Sequence, residues 1–135
     1  MKVYLAGAFS RQAELRAIAT DLDALGVEVT SRWLYETGPE NPKDRQRYRR
    51  ETAFKDVQDV RAADILVRFT DDLSTEVIPS YLGSCARMFE FGMAWERGIP
   101  VVTVGGQQNV FDSLPNIIHL PDVQALYKFL SPRET

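Results

Sequence analysis

A single carboxylate lies in the middle of a segment that is otherwise largely apolar. Residues 83–95 read GSCARMFEFGMAW, and this composition predicts a helix with little open water around Glu90. Because an unpaired buried carboxylate is costly, such a group is usually paired or used in chemistry. Two interpretations follow. Either Glu90 is functional, or it lies on a narrow polar stripe and pairs with Arg87, one turn earlier.

Two more carboxylates lie on the preceding predicted helix. Asp56 and Asp59 are three residues apart, so they share one face of that helix. Either could point over the edge of a sheet, although aspartates on a charged helix are usually solvated. Asp64 opens the next predicted strand and is typical of a structural turn. These residues leave carboxylate chemistry, with general acid–base or nucleophilic roles, as the chemistry that the sequence favours.

Other chemistries lack their usual residues. The turn after the first predicted strand, starting at Gly7, has no G-x-G-x-x-G pattern, and the chain has no P-loop motif. His119 is the only histidine and Cys85 the only cysteine, so we predict no transition-metal site. We interpret His119 as a packing residue at a strand end and Cys85 as a small core thiol.

Composition indicates an ordinary globular protein of one domain spanning residues 1–135. The chain is 44% hydrophobic and 26% charged, with a net charge of −3. No global basic field favours a nucleic-acid partner. No apolar stretch reaches transmembrane length, and the first apolar run is too short for a signal peptide, so we expect no membrane partner. A single cysteine suits a reducing compartment, and we expect a cytoplasmic protein.

Strands and helices alternate along the chain. Apolar runs predict strands, and apolar residues at helical spacing predict helices. The predicted strands are 3–6, 27–30, 64–69, 99–104 and 117–120; the predicted helices are 12–25, 44–62, 83–95 and 123–130; the main loops are 32–41 and 71–82. This alternation favours an α/β fold with a doubly wound parallel sheet of five strands, in the flavodoxin-like order 2-1-3-4-5.

In such sheets, ligands bind outside the carboxyl ends of the strands. That rule brings distant parts of the chain to one crevice: residues 7–11, 31–35, 70–72 and 105–109. The start of the helix that carries Glu90 faces the same crevice, so Glu90 is expected to approach it.

Four segments of the chain resemble the nucleoside 2-deoxyribosyltransferase superfamily, which includes the 2′-deoxynucleoside 5′-monophosphate N-hydrolases. They are VYLAGAF at 3–9, Asp56 eight residues before the aspartate of ADILV at 63–67, RMFEFGMA at 87–94 and GIPVV at 98–102. The resemblance covers roughly residues 1–105. It lies in an ordered set of Tyr, Asp and Glu on matching elements.

The resemblance implies catalytic roles for three residues. Glu90 matches the family's nucleophile, Tyr4 the tyrosine that orients it, and Asp56 the aspartate that handles the proton of the leaving base. Asp59 takes that role if the alignment slips by one turn. Without the resemblance, Tyr4 in a strand would be read as core packing.

The resemblance also implies a small-molecule nucleoside or nucleotide and a nucleobase as partners, no cofactor, and a homo-oligomer. Arg87 and Ser84 match positions near a 5′-phosphate in the nucleotide-cleaving branch, and Trp33 lies where base contacts are common. The substrate-binding candidates are Gly7, Phe9, Ser10, Trp33, Gly83, Ser84 and Arg87. Alternatively, Ser84 is only an N-cap and Trp33 a core residue.

The chemistry of N-glycosidic bonds fits these carboxylates, since cleavage passes through an oxocarbenium-like state as in glycoside hydrolysis. The first hypothesis is a deoxyribosyl transfer between nucleobases. The alternatives are a hydrolase of deoxynucleoside 5′-monophosphates, a non-catalytic nucleotide-binding or sensor module, and a structural subunit that associates through Phe89, Phe91 and Trp95. The phosphate-contacting set is incomplete, although Ser10, Arg11 and Arg87 could bind phosphate.

Overall fold

The alternating apolar runs form a sheet covered by helices. The computed structural model describes the backbone of residues 1–70 and 81–132, and the side chains of residues 1–70 and 85–132. The strands are β1 Lys2–Ala6, β2 Glu28–Val29, β3 Ile65–Phe69, β4 Val101–Val104 and β5 Ile117–Leu120. The helices are α1 Gln12–Ala24, α2 Arg45–Ala62, α3 Tyr81–Arg97 and α4 Val123–Leu130. Short 3₁₀ helices occupy Phe9–Arg11, Arg32–Tyr35, Pro42–Asp44 and Val110–Ser113.

The predicted topology is confirmed. All pairs are parallel, and the strand order is β2-β1-β3-β4-β5. In the register, Tyr4 lies beside Leu66, and Arg68 lies beside both Ala6 and Thr103. The central strands are buried along nearly their whole length, which explains why they are continuous apolar runs.

Several predicted boundaries differ from the structure. The second strand has only two residues, Glu28–Val29, and the 32–41 loop contains the 3₁₀ helix Arg32–Tyr35. Strand β4 begins after Pro100, since proline has no N–H for a sheet ladder. Helix α3 begins at Tyr81, so the end of the predicted 71–82 loop is helical; the rest of that loop lies outside the described residues.

A tight contact between strand and helix follows β1. A Cβ added at Gly7 would lie 2.6 Å from the Cδ1 atom of Leu15 on α1. Gly7 therefore lets the first turn of the crevice pass directly under α1. Within the described ranges, no helix is both long enough and apolar enough to cross a membrane.

Candidate active site

Tyr4 and Glu90 meet where helix α3 packs on the sheet. The tyrosine lies in β1 and is fully buried, and the glutamate lies in the middle of α3 and is 8% exposed. The Tyr4 hydroxyl donates a hydrogen bond to Oε2 of Glu90. The sequence-based expectation that Glu90 has little water around it is confirmed. Its partner is a strand residue 86 positions away along the chain.

The environment of Glu90 makes its ionisation costly. The pKa of Glu90 is raised to about 8, mainly by burial; the hydrogen bond from Tyr4 opposes the rise, and the negative charge of Asp56 contributes to it. Burial, and then the charge of Glu90, raises the pKa of Tyr4 far above its ordinary value. Tyr4 therefore keeps its proton and acts as a donor that favours the ionised form of Glu90.

Asp56 faces the same pair from helix α2. The pKa of Asp56 is raised to about 6, first by burial and then by the charges of Asp59 and Glu36, with the charge of Arg32 opposing the shift. Its Oδ1 atom is buried and has no hydrogen-bond partner among the described groups. A carboxyl group in this state can carry a proton near neutral pH and give it to a substrate.

Asp59 is in a different situation, although it lies only one turn further along α2. Its carboxylate accepts from the backbone N–H of Arg32 at 3.0 Å and from Nε of the same residue at 2.9 Å. Asp59 is thus engaged in an ion pair, whereas Asp56 has an oxygen available. This difference favours Asp56 over Asp59 for the proton-handling role.

Arg87 lies one turn before Glu90 but contacts another group. Its side chain is buried, and Nη1 donates to the carbonyl oxygen of Phe69 at 2.9 Å. Among the ion pairs of the described residues, none joins Arg87 to Glu90. Gly83 and Ser84 lie in the first turn of α3, and their side-chain positions fall outside the described set. Since the helix begins at Tyr81, the interpretation of Ser84 as an N-cap is wrong.

The 3₁₀ helices that follow β1 and β2 each place one aromatic ring at the crevice. Phe9 is 63% exposed, and its ring centroid lies 6.5 Å from that of Trp33. Trp33 is buried, and its indole N–H donates to the carbonyl oxygen of Leu5 at 2.8 Å. Trp33 therefore anchors its segment to β1, while Phe9 remains largely exposed beside it. Ser10 is exposed in the same turn.

A second buried charge lies in β3. Arg68 is 1% exposed and forms an ion pair with Asp112, which is also buried. Its guanidinium lies 5.0 Å from the ring centroid of Phe91, the neighbour of Glu90. Arg11 donates from Nη1 to the carbonyl oxygen of Thr70 at 2.9 Å. Together with Arg87, three arginines therefore converge on the carboxyl end of β3.

Solved structures share this architecture along the whole chain. A 2-deoxyribosyltransferase from Bacillus psychrosaccharolyticus is 19% identical, with a TM-score of 0.69 over 100% of this chain and 99% of that one. The chain has the fold of a nucleoside 2-deoxyribosyltransferase. A CMP N-glycosidase from Clostridium botulinum matches at 16% identity and a TM-score of 0.60, covering 96% of this chain and 98% of that one. A conserved protein from Enterococcus faecalis V583 matches at 17% identity and a TM-score of 0.63, covering 96% of each chain.

Comparison at the level of sequence gives no further relatives. No family model matches the chain, and no curated protein matches it. The structural matches alone confirm, at the level of the fold, the resemblance noted in the sequence.

The exposure of three side chains in the structure corrects three sequence-based interpretations. Cys85 is exposed on α3 and is not a core thiol. His119 is exposed in the edge strand β5 and is not packed. Phe91 is 2% exposed and belongs to the core, so it cannot share an oligomer interface with Phe89. In each case the helix or strand was correctly predicted, but the face that it buries was not.

Sequence reasoning did not assign a role to Arg32, Arg68 or Asp112. The signal for Arg68 was present, since one arginine interrupts an otherwise apolar strand. Asp112 gave a weaker signal, as part of an Asn109–Asp112 capping box on a short 3₁₀ helix. Arg32 gave none, because its importance depends on a contact with α2.

Proposed function

We propose that this protein cleaves the N-glycosidic bond of 2′-deoxynucleosides, or of their 5′-monophosphates, and transfers the deoxyribosyl group to another nucleobase. The observation that carries the proposal is the buried Tyr4–Glu90 hydrogen bond with Asp56 facing it from α2. The structural neighbours whose activities are named, a 2-deoxyribosyltransferase and a CMP N-glycosidase, support glycosidic chemistry at low identity.

The proposed reaction has two steps. In the first, a carboxylate oxygen of Glu90 bonds to C1′ as the bond from C1′ to the base nitrogen breaks, and the proton of Asp56 passes to the leaving base. In the second, a nitrogen of the incoming base bonds to C1′, the Glu90 ester bond breaks, and Asp56 receives the proton of that nitrogen. Two displacements at C1′ retain its configuration.

Tyr4 contributes by favouring the reactive form of the nucleophile. Glu90 attacks only when ionised, yet its pKa of about 8, even with the Tyr4 hydrogen bond in place, lies above the pKa of about 6 of Asp56, so that a proton on Asp56 and a charge on Glu90 must be favoured by the site. The hydrogen bond from Tyr4 lowers this barrier to ionisation. We therefore assign Tyr4 as the group that orients and activates Glu90.

The test is an assay of base release and base exchange with purified protein. The four deoxynucleosides and their four monophosphates are incubated with and without a second free base, beside E90A and E90Q. We expect exchange in the wild type and a loss of at least about a thousandfold in both variants. Full activity of a folded E90A protein would refute the role of Glu90.

The hydrolysis of 5′-monophosphates is the second candidate. It is favoured by the convergence of Arg87 and of Arg11, which also pairs with Glu14, at the end of β3, because guanidinium groups bind phosphate well. In that case water replaces the second base, and turnover requires the 5′-phosphate. Release of the free base without an acceptor, confined to monophosphates, would select this candidate.

A non-catalytic nucleotide-binding module is the remaining alternative. It predicts that nucleotides bind equally to the wild type and E90Q, with no turnover of any substrate in the panel. Isothermal titration of both proteins with the same eight compounds separates this outcome from catalysis.

A further inference from the structure

Arg32 and Asp59 form an ion pair where the segment after β2 meets helix α2. Nη2 of Arg32 lies 2.9 Å from Oδ1 of Asp59, and the backbone N–H of Arg32 donates to Oδ2. The same Nη2 donates to Oε1 of Gln58 at 3.1 Å. Asp59 is 6% exposed, whereas the side chain of Arg32 is 51% exposed. The arginine therefore holds a buried negative charge in a fixed position.

The charge of Asp59 lies one helical turn from Asp56, on the same face of α2. Titratable groups from three other elements face Asp56: Tyr4 on β1, Glu90 on α3, and Arg32 and Glu36 on the segment after β2. After burial, Asp59 makes the largest contribution to the raised pKa of Asp56, and Arg32 lowers it. The two members of the ion pair thus have opposite effects on the pKa of Asp56: Asp59 raises it and Arg32 lowers it.

We propose that Asp59, held by Arg32, is a positioning residue whose fixed negative charge keeps Asp56 supplied with the proton that the leaving base takes up. This inference rests on the proposed glycosidic function. Asp59 does not touch the reacting atoms in this scheme. It acts through Asp56, whose buried Oδ1 has no other partner among the described groups.

The segment that carries Arg32 is itself firmly attached, which keeps the charge in place. Ser31 accepts from the backbone N–H of Leu5 at 2.7 Å, and Thr30 donates to the carbonyl oxygen of Asp59 at 2.9 Å. Gln12 donates to the carbonyl oxygens of Trp33 and Glu36 at 2.9 and 2.8 Å. A charge fixed in this way differs from a solvated surface carboxylate, whose effect on a neighbour is screened.

The test compares the pH dependence of kcat/KM for base release in the wild type, D59N and R32Q. In D59N the proton of Asp56 is lost at lower pH. The variant should match the wild type within about twofold at pH 5 and be roughly three- to tenfold slower at pH 8. In R32Q the proton is held more tightly, so the ratio of variant to wild-type rate should rise with pH.

Two variants serve as controls. R32K keeps the positive charge, and its rate relative to the wild type should not vary with pH. R47Q removes an exposed arginine of α2 that pairs with Asp44 and Glu51, and it should leave both the rate and the profile unchanged. Losses in D59N and R32Q that are constant across pH would mean that the pair only maintains structure, and would overturn the proposal. If D59N does not fold, R32Q alone still decides between the two outcomes.

A direct titration separates this inference from the proposed function. The ¹³C carboxyl signal of Asp56, assigned by its absence in D56N, gives the pKa of that group in each variant. Turnover that depends on Glu90, with an unchanged Asp56 midpoint in D59N, would refute the positioning role alone. A midpoint that falls in D59N and rises in R32Q, in a protein with no turnover, would support the electrostatic arrangement and refute the proposed reaction.

Discussion

At the scale of single residues, Glu90 is a residue whose proposed role and whose effect on stability oppose each other. A carboxylate that is 8% exposed, with a pKa of about 8, is protonated in the folded protein at pH values where the unfolded chain is already ionised. Ionising it in the folded state therefore costs stability. Tyr4 offsets part of that cost through its hydrogen bond.

We predict that E90Q is more stable than the wild type at alkaline pH. The folded pKa is raised, so the wild type is most stable below the ordinary pKa of a glutamate and loses stability as the pH rises through about 8. Glutamine does not ionise, so E90Q escapes this loss. Urea denaturation at pH 5 and pH 9 should show near equality at the lower pH and a gain of a few kcal/mol, in order of magnitude, at the higher.

A matched control for this experiment is E51Q, which removes a carboxylate that is 62% exposed on α2. Its unfolding free energy should change by less than about 1 kcal/mol at either pH. An E90Q protein with no advantage over the wild type at pH 9 would contradict a cost of ionising the buried Glu90.

The sequence was sufficient to single out Glu90, because apolar residues surround it on both sides in a helical pattern. It was not sufficient to identify its partner. Arg87 is near in sequence, but Tyr4 is brought to Glu90 only by the packing of α3 on the sheet. The choice between Asp56 and Asp59 likewise depends on Arg32, which belongs to a segment with no periodic pattern.

At the scale of elements, the ion pair of Arg68 and Asp112 joins β3 to the segment after β4. Asp112 also accepts from the backbone N–H groups of Gln108 and Asn109, at 2.7 and 2.9 Å. Burial opposes its ionisation, but these two hydrogen bonds and the charge of Arg68 outweigh burial and lower the pKa of Asp112. One carboxylate thus organises the loop that borders the crevice.

We predict that R68M destabilises the fold by about 3 kcal/mol, because it leaves the buried charge of Asp112 without its cation. The variant R47Q, which breaks an exposed pair, should cost less than about 1 kcal/mol. Urea unfolding at pH 7 measures both changes. Equal effects of the two substitutions would show that the buried pair makes no special contribution to stability.

The agreement and disagreement between the predicted and the observed bounds of strands and helices have physical explanations. Strand β5 and helix α4 match their predicted bounds, since each is enclosed by clear turn residues. Strand β2 is shorter than its apolar run because only Glu28 and Val29 pair with β1, at the edge of the sheet. The 3₁₀ helix Arg32–Tyr35 could not be predicted, since contacts with β1 and α2 hold it.

At the scale of the whole molecule, the alternation of strands and helices predicted a doubly wound parallel sheet, and the expected flavodoxin-like order, one of two common orders for such sheets, is confirmed as β2-β1-β3-β4-β5. The rule that ligands bind outside the carboxyl ends of such strands placed the candidate site at that edge. What alternation does not specify is which outer surfaces remain apolar after the sheet is covered.

Four large apolar side chains of the described residues remain exposed on α3 and the adjoining 3₁₀ helix. Phe89 is 63% exposed, Trp95 37%, Val110 76% and Phe111 53%. The two elements touch, since Asn109 Nδ2 lies 3.5 Å from the sulfur of Met88. We predict that a second copy of the chain covers this surface, because exposed aromatic clusters are typical of interfaces.

Sedimentation velocity across a range of protein concentrations tests this prediction. The wild type should sediment as an oligomer, and F89S should shift the equilibrium toward the monomer by roughly tenfold or more in Kd. The matched control is F54S, which removes an aromatic of equal exposure, 65%, from α2. A wild type that is monomeric at all concentrations, or equal effects of both substitutions, would contradict the prediction. Because Phe89 is the neighbour of Glu90, loss of activity on dilution would further indicate that association supports the site.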